Sequence, residues 1–123
     1  MLIDFLEKGG EMDSDPTLEC LLDMNGMIFG EDDGHWYKFE AWRVEPNEHI
    51  PHGIRYSLTL HDRHNRRILG FDNAHSVVPK SKKFGCKKTT WDHKHQKDKI
   101  ENYEFDSAGK LLEDFWNAVE IER

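Results

Sequence analysis

The sequence predicts an α+β domain, a curved antiparallel β-sheet of four to six strands with a C-terminal α-helix packed across one face. Three observations carry this. Residues 107–120 repeat apolar side chains at i, i+3, i+4 and i+7, the spacing of one helix face. Residues 35–44 and 55–61 alternate with the period of two that belongs to strands. Clusters of Gly, Pro, Asn and Asp separate these stretches, so the strands are joined by turns rather than by crossover helices.

Taken in order, Gly9-Gly10 and Asp13-Ser14-Asp15-Pro16 break the apolar start, and residues 1–16 are expected to be a loosely held arm. Leu18, Leu21 and Leu22 suit a short amphipathic helix or a first strand, and periodicity alone does not decide between them. Residues 26–30 read as a strand, and the acidic Glu31-Asp32-Asp33-Gly34 as a hairpin turn. Its carboxylates lack the spacing of a calcium loop. Tyr37, Phe39 and Ala41 alternate with Trp36, Lys38, Glu40 and Trp42, placing this strand inside the sheet.

Tyr56, Leu58 and Leu60 point one way and Arg55, Ser57, Thr59 and His61 the other. Asp62 to Arg66 is a polar hairpin tip, after which Arg67-Ile68-Leu69-Gly70-Phe71 returns antiparallel, with Gly70 permitting a bulge or the close approach of a ligand. Residues 79–99 form a lysine-rich connection and strand, and Asn102-Tyr103-Glu104-Phe105 is a candidate final strand. Asp106 or Ser107 caps the last helix, whose Leu111, Leu112, Phe115 and Trp116 are expected to clamp it onto the sheet.

A chain of 123 residues is one domain with room for a single core, and its low apolar share of 37% keeps that core thin. Cys20 and Cys86 form no metal-finger or CxxC spacing, and the acidic start does not resemble a signal peptide. No apolar run approaches the roughly 20 residues of a bilayer span. A soluble cytoplasmic protein with free thiols and no membrane partner is expected. The net charge of −7 hides an asymmetry: residues 79–99 hold eight lysines against two aspartates, a local +6 on a body of −13. Such a strip draws a polyanion to one face, although a solvated lysine loop gives the same composition.

The chemistry concentrates in residues 70–95, which hold three of the eight histidines. If the segment before His95 is extended, Thr89, Trp91, His93 and His95 share a face, with the two imidazoles about 6–7 Å apart. Metal-independent RNA cleavage needs a base, an acid and cations around the phosphate. His93 and His95 can serve as the proton-transfer pair, with His75 as substitute or orienter and Asp72 holding an imidazole through its ring N–H. Lys82, Lys83, Lys87, Lys88 and Lys94 can hold phosphate, and Trp91 can stack on an unpaired base. The blander reading makes these histidines part of a solvated face and Asp72-Asn73 a turn. Asp72, His75, His93 and His95 also offer ligands to a divalent ion, but the surrounding lysines work against a cation, so no metal or other cofactor is expected.

Four blocks in order resemble the TumE-like family: Pro51-His52-Gly53-Ile54-Arg55-Tyr56-Ser57-Leu58, Leu69-Gly70-Phe71-Asp72-Asn73-Ala74-His75, Asp92-His93-Lys94-His95 and Leu111-Leu112-Glu113-Asp114-Phe115-Trp116. The resemblance covers roughly residues 27–121. It implies a prokaryotic toxin of a type II toxin–antitoxin pair, partnered by a helix-turn-helix antitoxin and acting on RNA. It assigns no catalytic residues. The function expected is therefore a toxin acting on RNA, as a metal-independent endoribonuclease through His93 and His95, with RNA and the antitoxin as partners and a homodimer left open. The alternatives are a non-catalytic RNA-binding or regulatory protein, or a protein-interaction module, using the basic strip over residues 80–99.

Overall fold

The computed structural model describes residues 15–73, 91–97 and 99–122. The expected arm thus lies outside the described residues up to position 14, and so does most of the lysine connection. Helix α1, Pro16–Asp23, resolves the ambiguity at Leu18, Leu21 and Leu22 in favour of a helix. Asp15 caps it by accepting from the Thr17 amide, and Pro16 occupies the first turn, where its missing N–H has no intrahelical partner to lose.

Six strands follow: β1 Met27–Gly30, β2 Trp36–Arg43, β3 Ile54–His61, β4 Arg67–Asp72, β5 His93–Gln96 and β6 Lys99–Asn102. They form one sheet in sequence order, every neighbouring pair antiparallel. The β1–β2 turn closes with Gly34 N–H donating to the Glu31 carbonyl, and Gly34 takes φ +94°, a conformation other residues resist. Between β3 and β4 the register shifts at Leu60/His61, so Leu60 faces Leu69 while His61 faces Arg67. This is a bulge, and it decides which face Arg67 occupies.

Helix α2, Ala108–Glu122, runs two residues beyond its expected end. Ser107 caps it, its hydroxyl accepting from Lys110 N–H. Asp15 reaches across as well, its second oxygen accepting from Ala108 N–H, so one carboxylate serves the starts of both helices. Both helices lie on one face of the sheet. Leu21 from α1, and Leu111, Phe115 and Val119 from α2, close over Tyr37, Phe39, Tyr56, Leu58, Leu60, Leu69 and Phe71. Phe115 sits edge-on to Phe39 at 5.4 Å and to Phe71 at 6.0 Å. Trp116 is less covered than the helical stripe predicts, at 37% exposed, while still reaching Tyr37.

The final strand is β6, not residues 102–105. Lys97, at φ +57°, reverses the chain directly after β5, so pairing begins at Lys99; Tyr103 and Phe105 have by then left the sheet to pack against the core.

Candidate functional site

Antiparallel register sorts the side chains of this sheet into rows. One row reads Glu40, Ser57, Asp72, His93, Asn102 and the next reads Lys38, Thr59, Gly70, His95, Ile100. Because Leu58, Leu60, Leu69 and Phe71 take the helix side, these rows project from the opposite face. Asp72 and His93 are therefore direct cross-strand neighbours, and His95 faces the hollow left by Gly70.

The carboxylate of Asp72 is clasped by two imidazoles. Nε2 of His93 stands 3.1 Å from Oδ1 and Nε2 of His95 stands 3.8 Å from Oδ2. The two rings meet edge to face with centroids 4.6 Å apart, closer than the span expected for an extended strand. On its other side His93 donates Nδ1–H to the Trp91 carbonyl at 2.7 Å. Asp72 and His93 are buried, at 5% and 2% exposed. Burial by itself depresses the basicity of His93, but the Asp72 carboxylate and the Trp91 carbonyl outweigh it and hold the ring above the usual imidazole range. The ligand atoms of Asp72, His93 and His95 all lie within 4.8 Å of one another, a grouping able to hold a metal ion.

Cations and aromatic rings flank this cluster. The bulge turns Arg67 onto the same face, where a Cβ added at Gly70 would lie 3.3 Å from Arg67 Cδ, so the arginine stem runs across the glycine hollow. Burial, then the charges of Arg67 and Lys38, press the basicity of His61 below its ordinary value. His61 hydrogen-bonds Thr59 at 2.9 Å and stacks on Trp36 with ring centroids 4.0 Å apart. Arg55, on the same side of β3, has its Nε buried with no hydrogen-bond partner among the described residues. Sequence reasoning missed Arg67 as a site residue. The alternation of β3 places Arg55 on this face, while Arg67 depends on a bulge that alternation does not reveal.

A second polar network sits one residue earlier and faces the helices. Asp92, 3% exposed, accepts from the Tyr56 hydroxyl at 2.7 Å and from His52 Nε2 at 2.9 Å. His52 Nδ1 accepts from the Ile54 amide, which fixes the ring proton on Nε2, and the ring stacks on Phe105 at 3.9 Å. His52 thus shapes its turn, as its Pro51 and Gly53 neighbours suggest, and also anchors β5. Burial and the Asp92 carboxylate keep the Tyr56 phenol protonated far beyond its ordinary range.

The structure brings Asp72, His93 and His95 together. Lys94 lies on the helix side, 5.8 Å over the Phe71 ring and 3.9 Å from Glu101. Trp91 precedes β5 in non-strand backbone and stacks on His49 at 4.7 Å, rather than sharing an extended strand face with His93. His75, Lys82, Lys83, Lys87 and Lys88 lie outside the described residues.

Among the described residues, a six-stranded antiparallel meander with helices on one side and an Asp–His–His cluster on the other defines a small α+β protein with a polar cluster borne on its sheet. Residues 25–123 match the Toxin TumE family, and the chain belongs to it, a family of toxins whose partners are antitoxins. The match is slightly wider than the span carried by the four sequence blocks. Comparisons with curated proteins and with solved structures gave no match. Among the described residues no helix is long and apolar enough to cross a membrane.

Proposed function

We propose that this toxin acts on RNA as an endoribonuclease, with Asp72, His93 and His95 as its reaction centre. The observation that carries the reading is the pair of imidazoles on one buried carboxylate, on the sheet face opposite the two described helices and beside Arg67. Phosphodiester cleavage at a 2′-hydroxyl needs proton transfer near neutral pH and cations where charge builds on the phosphate. The cluster supplies the first, and Arg67 with Lys38 supplies the second. The Trp36–His61 stack offers an aromatic platform for an unpaired base. The antitoxin, on this reading, is a helix-turn-helix protein.

Incubation of the purified toxin with RNA tests the proposal. Wild type fragments the RNA over time, and a folded H93A/H95A variant does not. Fragmentation by that double variant refutes the cluster. Salt-sensitive retention of RNA with no loss of length replaces the enzyme with a binding protein.

A further inference from the structure

We infer that Asp72, His93 and His95 form the binding site of one divalent first-row transition-metal ion, with Zn²⁺ or Mn²⁺ matching the donor set of two imidazoles and a carboxylate. Bonds of about 2.0–2.2 Å to a tetrahedral ion set neighbouring donor atoms about 3.3–3.6 Å apart. The 3.1 Å and 3.8 Å contacts run from the two imidazoles to different oxygens of Asp72, and one donor atom from each of the three residues lies within 4.8 Å of the others. Small side-chain movements therefore close the site around an ion.

Both imidazoles turn Nε2 toward the Asp72 carboxylate, His93 at 3.1 Å from Oδ1 and His95 at 3.8 Å from Oδ2. The bond from His93 Nδ1–H to the Trp91 carbonyl is the outer contact that fixes the tautomer of a ligating imidazole and aims Nε2 inward.

Lys94 lies across the sheet, beside Glu101. Arg67 shares the face but is exposed, a position suited to an anion bridging the guanidinium and the ion. Among the described residues these three side chains supply a donor set of two imidazoles and a carboxylate. The inference deepens the RNA reading and rests on it only for what the ion does: a metal-held water in place of an imidazole as the base.

The test is calorimetry on chelator-stripped, full-length protein with ZnCl₂ and separately MnCl₂, supported by visible absorption on adding Co²⁺. One ion per chain is expected, bound at least about 100-fold more weakly by His95→Ala and Asp72→Asn and unchanged in Lys94→Ala. Circular dichroism establishes folding; if Asp72→Asn does not fold, His95→Ala and the Co²⁺ spectrum carry the test. Failure of folded wild type to bind either ion overturns the inference, as does undiminished binding by His95→Ala. RNA cleavage at full rate by the stripped protein overturns the metal's role and leaves the RNA reading standing. Stoichiometric binding with RNA left intact in every metal-loaded sample keeps the site and removes the RNA reading.

Discussion

Replacing Tyr56 with Phe removes one hydroxyl from a fully buried ring and leaves Asp92, 3% exposed, without its 2.7 Å donor. The remaining side-chain donor is His52 Nε2 at 2.9 Å. A hydrogen bond to a charged group contributes roughly 1.5–3 kcal/mol, and here no water replaces the lost donor at a surface, so Y56F is expected to cost about 2–3 kcal/mol. For a domain of this size that corresponds to a fall in Tm of roughly 6–15 °C. Tyr103 provides the internal control, because its hydroxyl also donates to a carboxylate, Asp114, at 2.6 Å, but both partners are only partly buried. Y103F should therefore cost about 0.5–1.5 kcal/mol. Urea titration followed by far-ultraviolet circular dichroism measures both. Equal losses in the two variants, or a Y56F loss below about 1 kcal/mol, would refute the argument that burial of Asp92 sets the magnitude.

Asp15→Ala removes the cap of α1 and the contact to the first amide of α2 together, and at about 1 kcal/mol per cap the expected loss is about 2 kcal/mol in the same titration. Burial raises the Asp15 pKa, but the Thr17 hydroxyl and the Ala108 and Thr17 amides bring it below the ordinary value. Its contribution is thus complete above the unfolded carboxyl pKa and is lost as pH falls through the lower folded value, so wild type should lose its advantage over D15A in acid; a constant difference down to pH 2 would contradict the linkage. Gly34→Ala forces a Cβ to 2.6 Å from Arg63 Cβ at φ +94° and should cost at least about 1–2 kcal/mol, read as a Tm shift. On the RNA reading, Arg67→Ala should weaken retention on single-stranded RNA and lower the slope of log K against log salt by about 0.7, with an unchanged slope excluding Arg67 from phosphate contact.

The fold was legible where one face of an element is buried and the other is not. Tyr56, Leu58 and Leu60 declare their strand, and Leu111 and Phe115 their helix, because the pattern is imposed by a one-sided core. It failed where pattern is absent or local geometry intervenes. Three leucines in eight residues fit a helix or a strand, and the Asp15 cap, set by backbone geometry, decides for α1. The reversal at Lys97 moved the last strand to Lys99–Asn102. In the site, the common parity of His93 and His95 was readable, but their pairing to Asp72 is a matter of register between distant strands. Arg67 shows the limit most clearly. By alternation with Leu69 and Phe71 it belongs on the helix side, and only the shift at Leu60/His61 carries it across the sheet to the cluster.

That same alternation couples the core to the site through two consecutive residues. Asp92 turns toward the helices and is held by Tyr56 and His52, while His93 turns the other way and meets Asp72. The start of β5 is therefore pinned from both sides of the sheet. The 3.1 Å contact between His93 and Asp72 depends on where the Asp92 anchor sets the backbone. Substitutions at Tyr56 or His52 should then disturb the cluster by displacing β5, and any loss of metal or RNA activity they cause should track their loss of stability. On the RNA reading, changes at His95, whose side chain is 13% exposed, should remove activity with a smaller loss of Tm than changes at Tyr56. A residue whose activity and stability fall together acts through the anchor; one that separates them belongs to the proposed reaction centre.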